Sequence, residues 1–496
     1  MTERLTSADV SFLYLEGRTT PQHVGAIAAF APPADGFDYD RLVRLLEERI
    51  SLVPRYRQKM RAIPGHLANP VWVDDPNFDI TYHVRRSALP RPGTQAQLLE
   101  FCARIQSRLL DRSRPLWEMY LVEGLADGQI AILTKTHHAM VDDLGAIDIA
   151  QVILDDSPEP LRTVEPLWMP GPEPSAAGLL VQAIAGLAHR PAAAVDAVRL
   201  GVKDIRAATE QVTAVAGTAL STALALVRRA PSSPLNVKLG QQRRLAVART
   251  RLDDYRQVRQ AHGATVNDVA LATVAGALRG WLLQRGEVVA PSQAVRALVP
   301  VSVHDEEPGG AGHVMPLLVD LPVGEPNPLR RLRLIGTAMA EHQRSGRSVS
   351  ADALVALSGF APPTLHGLGA RAAKGLTRRM FSLVVTNVPG PQLPLYAAGA
   401  RMTEMFPILP LGPGQAVSVG ITSYDGGVFY GVNGDRDAMP DVDVLAALIE
   451  ESLAELVEAS PVATERHTAV AALGRVGRRK PGSRRPVARA PRGSQS

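Results

Sequence analysis

Residues 134–145 read TKTHHAMVDDLG: two adjacent histidines, three uncharged residues, then two adjacent aspartates. The run leading into them, GQIAILTKTHHAM (128–140), is apolar and β-branched, the character of a strand. LWEMYLVEGL (116–125) reads as its partner, and Ala126-Asp127-Gly128 as the turn of a β-hairpin. Beyond the aspartates, LGAIDIAQVIL (144–154) takes up helical spacing. The stretch therefore sits where a strand ends and a helical pattern begins, which points to an α/β fold.

Adjacent residues on a regular strand face opposite ways. His137 and His138 then divide the work: one faces a site, the other faces structure. A neutral imidazole, with a pKa of about 6.5, is suited to draw a proton from a hydroxyl near neutral pH. Asp142, four positions after His138, could neutralise a nearby Arg or His and fix the local geometry. Three readings fit the heptapeptide alone. The histidines are satisfied in the core and the aspartates cap the next helix; or they bind a metal; or one histidine is a general base. A metal site needs three or four ligands, His138 and Asp142 supply two, and no H-E-x-x-H or C-x-x-C cluster occurs elsewhere, so no metal is expected. No G-x-S-x-G elbow is present, which argues against a serine hydrolase.

Outward from this stretch, HVGAIAAFAP (23–32) reads as a strand and 38–60 as an amphipathic helix with Leu42, Leu45, Leu46 and Ile50 on one face, stopped before Pro54. Residues 69–84 read as two short strands, and 94–111 as a second helix. Pro158, Pro160, Pro166, Pro170, Pro172 and Pro174 mark a linker, followed by Ala-rich helices over about 176–229 and a second break at 230–236. From 241 the α/β alternation resumes. Strands are expected at 243–253, 294–303, 313–322 and 380–391 and in the two runs near 416–435, with helices at 253–263, 265–286, 326–345 and 441–459; EMFPILPL (404–411) belongs to the same unit. The domain reading is a first lobe over 1–165, a Pro-rich linker and helical crossover over 166–240, a second lobe over 241–460, and a basic tail over 461–496.

A chain of 496 residues exceeds what one core usually supports, about 250–300 residues, which agrees with two lobes. Apolar content of 46% and charged content of 21% are those of a globular protein. The single cysteine, Cys102, excludes an internal disulfide framework and fits a reducing compartment. The N-terminal residues lack the apolar run of a secretory signal. Gln211–Val227 is uncharged but holds Gln211, Thr213, Thr218, Ser221 and Thr222, so it reads as a buried or interfacial helix and not as a span of about 20 apolar residues. The net charge of +5 belongs to the tail: nine Lys or Arg follow from Arg466 onward, leaving about −4 for residues 1–465. That Arg/Pro/Gly/Ser-rich segment reads as disordered, with anionic lipid headgroups as one partner it suits; no nucleic-acid partner is expected.

With these pieces together, the sequence resembles the bacterial wax ester synthase/diacylglycerol acyltransferase family, within the CoA-dependent acyltransferase superfamily that carries H-H-x-x-x-D-G. The likeness runs over about 4–458. It rests on His137-His138 with Asp142 and on LTSADVSFLYLE (5–16), RPLWEMYLVEGL (114–125) and PLNVKLGQQRR (234–244). GATVNDVALA (263–272), VPVSV (299–303) and TNVPGP (386–391) complete it in family order. The resemblance implies two chloramphenicol-acetyltransferase-like sub-domains, each a mixed sheet flanked by helices, with an active-site tunnel between them.

It also implies transfer of an acyl group from acyl-CoA, as co-substrate, to diacylglycerol or a long-chain alcohol, with no other cofactor. The expected location is cytoplasmic, peripheral at the inner membrane or lipid droplets. His138 matches the general base, His137 the supporting histidine, and Asp142 the motif aspartate that holds the geometry. Pro115, Leu116 and Trp117 match an element that shapes a channel or the core, and Asn267 and Asp268 match an N-D pair that also reads as a helix start. Ser382, Thr386 and Asn387 are candidate oxyanion donors; Arg378 and Arg379 are candidates for the CoA phosphates. Two departures stand out: Asp143 replaces the motif glycine, a second carboxylate expected to raise the His138 pKa, and His313 stands where asparagine is common. A weakly active lipid-binding paralogue, for which Asp143 and the tail argue, and a condensation-type enzyme of secondary metabolism are the alternatives.

Overall fold

The computed structural model describes residues 3–64, 68–141, 149–160, 168–181, 231, 233–303, 313–345 and 380–460. Asp142, Asp143, most of the crossover, Arg378, Arg379 and the tail lie outside the described residues.

The chain opens with β1 (Glu3–Arg4) and α1 (Ser7–Leu15). A reciprocal capping box starts α1: Asp9 N–H donates to Thr6 Oγ1, and Thr6 N–H to the Asp9 carboxylate. Then follow β2 (His23–Ala31), α2 (Tyr39–Arg49), β3 (Gln58–Arg61), β4 (Val71–Asp74), α3 (Ile80–His83) and β5 (Val84–Ala88). Residues 80–83 are a helical turn where a second short strand was expected. The Asp79 carboxylate accepts the Thr81 N–H and hydroxyl and caps the turn. Next come α4 (Gln95–Gln106), β6 (Trp117–Glu123), β7 (Ile130–His137), α5 (Ile149–Val152) and β8 (Leu154–Asp155). β6 and β7 pair antiparallel, the expected hairpin.

The second half holds β9 (Arg243–Arg251), α6 (Leu252–His262), α7 (Val266–Gln284), β10 (Val295–Val303), β11 (His313–Leu321) and α8 (Pro328–Ser345). It continues with β12 (Leu383–Pro389), β13 (Tyr396–Ala397), β14 (Ala400–Ile408), β15 (Val417–Tyr424), β16 (Gly427–Asp435) and α9 (Val442–Glu458). Beside a small antiparallel sheet of order β1-β4-β3 there are two large mixed sheets, one with the order β5-β6-β7-β2-β14-β13-β8, the other β11-β10-β12-β15-β16-β9. Each large sheet lies in its own buried apolar cluster, the first around Leu42, Leu116, Trp117 and Leu133, the second around Val269, Leu278, Trp281 and Val385.

The two halves of the chain do not map one-to-one onto the two large sheets. β13 and β14 come from the 241–460 segment yet pair into the first sheet, β14 running antiparallel to β2. β14 also lies across β16, where Gly431 is required. A Cβ there would come within 1.9 Å of Pro407 O, so the strands could not approach as they do. The second joint is Arg243, 6% exposed, which reaches Thr19 O in the first lobe and lies 3.6 Å from the buried Asp435.

Candidate functional site

β7 delivers its two histidines differently. His137 is its last residue, and its backbone N–H donates to Leu116 O at 2.9 Å. His138 opens a single 3-10 turn (His138–Met140), and its N–H donates to Gln22 O at 2.9 Å. The break in the strand, rather than strict alternation, separates the two rings. The His137 ring is fully buried, and its Nδ1 accepts the Ala139 N–H at 3.1 Å. An accepting Nδ1 puts the proton on Nε2, and Nε2 lies 3.5 Å from a Glu16 carboxylate oxygen.

That carboxylate is the centre of a buried cluster. Glu16 Oε1 lies 3.0 Å from His23 Nε2, while Arg112 donates to Oε2 from Nη2 at 2.6 Å and from Nε at 3.1 Å. His23 is the strand partner of His137 across β2 and β7. Burial pushes the Glu16 carboxyl up, but hydrogen bonding and charge from His137 and His23 outweigh it and hold the group well below the usual carboxylate range. Burial pushes His23 down to about 4, so it is neutral near pH 7. Beside them the buried Lys135 donates to the carbonyls of Ile105 and Arg108, closing the C-terminal end of α4 against β7.

His138 is half-buried and stacks on Phe12 of α1, ring centroids 4.0 Å apart at 16°. Burial pushes its pKa down to about 4, and the neighbouring His137 acts in the same direction. Near neutral pH the ring is an uncharged imidazole, the form that accepts a proton. Asp143, expected to raise this value, lies outside the described residues, as does Asp142. Among the described residues no group of three or more His, Cys, Asp or Glu side chains could hold a metal ion.

The other sequence-derived candidates separate into groups. Pro115, Leu116 and Trp117 are buried and act on the histidine strand from behind. Leu116 O takes the His137 N–H; Trp117 Nε1 donates to Tyr56 O at 2.8 Å, and its ring stacks on His83 at 4.7 Å. In the second lobe the cap of α7 is Thr265, not Asn267: Asp268 N–H donates to Thr265 Oγ1 at 3.0 Å and Asp268 Oδ2 accepts Thr265 N–H at 2.8 Å. Asn267, left over from that box, accepts a hydrogen bond from Asn387 Nδ2 at 3.3 Å, so the structure joins these two candidates. Ser382 is fully buried and its hydroxyl donates to Asn236 Oδ1 at 2.8 Å, which commits it to the lobe's own framework. Thr386 and Asn387 are half-buried on β12.

A cavity of about 1240 Å³ opens where α4, β9 and α9 meet. It is lined by Arg104, Arg108, Arg244 and Leu245 among others, and neither histidine of the motif lines it. Sequence reasoning missed Glu16 and His23. Glu16 closes the LTSADVSFLYLE stretch and His23 opens the next strand, but nothing in their spacing announces that a sheet brings both against His137.

Comparison with known proteins gives a consistent result. The wax ester synthase/diacylglycerol acyltransferase catalytic-domain model matches residues 5–270, and the C-terminal-domain model of the same family matches 313–457. The probable diacylglycerol O-acyltransferase tgs2 of Mycobacterium tuberculosis is 35% identical over 464 residues, covering 91% of this chain and 98% of that protein. The probable diacylglycerol O-acyltransferase tgs1 of the same organism is 34% identical over 462 residues, covering 92% and 96%. Among solved structures, the wax ester synthase/diacylglycerol acyltransferase from Marinobacter aquaeolei VT8 superposes with a TM-score of 0.67 at 30% identity, covering 92% of this chain and 99% of that one. The starter condensation domain of rhizomide synthetase, at 15% identity and a TM-score of 0.53, shares the fold alone.

Proposed function

Because the chain belongs to the wax ester synthase/diacylglycerol acyltransferase family, we propose that it moves a long-chain acyl group from acyl-CoA to diacylglycerol, with long-chain alcohols as a second acceptor class. The observation that carries this reading is the neutral, half-buried imidazole of His138 held at the end of β7. In the proposed step His138 takes the proton of the acceptor hydroxyl as its oxygen attacks the thioester carbonyl carbon. The tetrahedral intermediate then collapses, the C–S bond breaks, and the imidazolium returns its proton to the leaving CoA sulfur. His137 supports His138, and Asp142 is read as the motif carboxylate that fixes the geometry. Thr386 and Asn387 remain the oxyanion candidates, Ser382 being committed to Asn236.

No helix among the described residues is long and apolar enough to cross a membrane. What supports a peripheral location is the water-insoluble acceptor itself, which the enzyme would meet at the surface of the inner membrane or of a lipid droplet. The test is release of CoA thiol from long-chain acyl-CoA, with product identified by mass spectrometry across a panel of acceptors. Release should depend on diacylglycerol or a fatty alcohol, and His138→Ala should lower it by several orders of magnitude, roughly the size expected for removing an essential base. Thiol release that ignores every acceptor, or that survives His138→Ala, would sink the reading.

A further inference from the structure

The proposed mechanism uses His138 and leaves unexplained why a carboxylate is buried behind its neighbour. Glu16 has a side chain only 3% exposed, and a buried charge is costly unless fully compensated. Arg112 compensates one oxygen: both of its bonds go to Oε2, and its Nη2 also donates to Leu13 O at 2.8 Å, which pins the guanidinium to α1. Oε1 takes one long backbone contact, from Gln22 N–H at 3.5 Å, and otherwise faces two imidazole nitrogens, His23 Nε2 and His137 Nε2; neither nitrogen has another hydrogen-bonding partner among the described residues.

The His137 ring is thus held at both ends. Nδ1 takes the N–H of Ala139, inside the very turn that carries His138, and Nε2 points its proton at Glu16. Reversing the tautomer would set an N–H of the ring against the N–H of Ala139 and break the turn. A carboxylate on the Nε2 side is what prevents that reversal. At 3.5 Å the Glu16–His137 approach is longer than a formed hydrogen bond, so the restraint in this state is chiefly electrostatic.

We propose that Glu16, clamped by Arg112, is a positioning residue for acyl transfer: it fixes the Nε2-protonated tautomer of His137 and thereby the turn that presents His138. The proposal rests on His138 being the base of the reading above. It makes Glu16 a group that acts through His137 and never touches substrate.

The test uses Glu16→Gln and Glu16→Ala in the full chain. Glutamine keeps the volume and a carbonyl acceptor but removes the charge that Arg112 and the imidazoles share. kcat should fall about 10- to 100-fold in Glu16→Ala, with Glu16→Gln intermediate and KM for acyl-CoA nearly unchanged. Nitrogen-15 ring shifts of His137 give a second readout that needs no turnover. The wild type should show the Nε2-protonated tautomer, and Glu16→Ala a tautomer-averaged ring. A wild-type His137 protonated on Nδ1 would overturn the proposal, as would a Glu16→Ala protein with wild-type kcat and an unchanged ring. A wild type that transfers no acyl group would instead remove the functional reading, while the ring shifts still decide this one. If Glu16→Ala fails to fold, the wild-type tautomer and the Glu16→Gln kinetics keep the question decidable.

Discussion

His138 is set apart from an ordinary histidine by where it is put. Stacked on Phe12 and largely removed from water, it has its pKa pushed by burial down to about 4, below the ordinary imidazole value of about 6.5. If it is the base, the acid limb of the kcat/KM profile should have its midpoint near about 4, and Phe12→Ala, by admitting water, should move it toward about 6.5. A wild-type limb centred at about 6.5 and unmoved by Phe12→Ala would show that burial against Phe12 does not set the titration of His138. Stability must be followed alongside, because His23 and His83 are also pushed down to about 4 by burial. For all three the folded value lies below the unfolded one, so the unfolded chain binds more protons between about 4 and 6.5. Stability from these groups is therefore complete above about 6.5 and is lost as the pH falls toward about 4. The histidine pair was legible because its chemistry is written in consecutive letters. Glu16 was not, because its role exists only once β2 and β7 pair His23 with His137 and α1 ends above them.

At the scale of elements, regular periodicity carried most of the reading. The strands at 23–31, 117–123, 130–137 and 243–251 and the helices at 39–49, 266–284 and 442–458 fall where alternation or 3–4 spacing puts them. Short features escaped it: at 80–83 a single carboxylate cap, Asp79, decided for a helical turn, and the cap of the 266–284 helix is Thr265, two residues ahead of Asn267. The packing of α4 onto the histidine strand pair depends on a glycine. A Cβ on Gly25 would lie 2.2 Å from Thr134 O and 2.5 Å from Gln106 Nε2. Gly25→Ala should therefore push α4 or β7 outward at a cost of about 1–3 kcal/mol, and, with His23 two residues away, it should lower kcat as well. Thermal unfolding and turnover measured on the same preparation check both; a variant with unchanged melting temperature would show that α4 yields without cost.

For the whole molecule, composition and the Pro-rich break separated two α/β segments, but the exchange of β13 and β14 into the first sheet was not legible. Residues 400–408 carry the pattern of a strand, and a pattern specifies which face is buried without specifying which sheet receives it. The exchange means that the lobes are not independent units: β14 completes the sheet holding His137, and Arg243 fastens the other edge. Arg243 donates to Gly240 O and Gln242 O at 3.0 Å each, reaches Thr19 O three residues after Glu16, and takes the Ser107 hydroxyl as acceptor for its own N–H at 3.0 Å. Its charge faces Asp435, only 1% exposed, which also accepts the N–H groups of Gly240, Asp437 and Ala438. Replacing Arg243 by methionine keeps much of the volume but leaves that carboxylate without its cation and Thr19 without its donor. Breaking one side of a buried pair costs about 3–5 kcal/mol. Arg243→Met should lower the unfolding midpoint accordingly, and proteolysis should cut the 16–22 segment sooner than in the wild type. Pairing it with Asp435→Asn should recover part of the loss, since the uncompensated charge is then gone. Equal losses in the single and double variants would mean that the seam is held by the carbonyl contacts and not by the charge. The same double variant would then separate seam stability from catalysis: with Thr19 still unanchored, turnover should stay depressed even where the midpoint recovers.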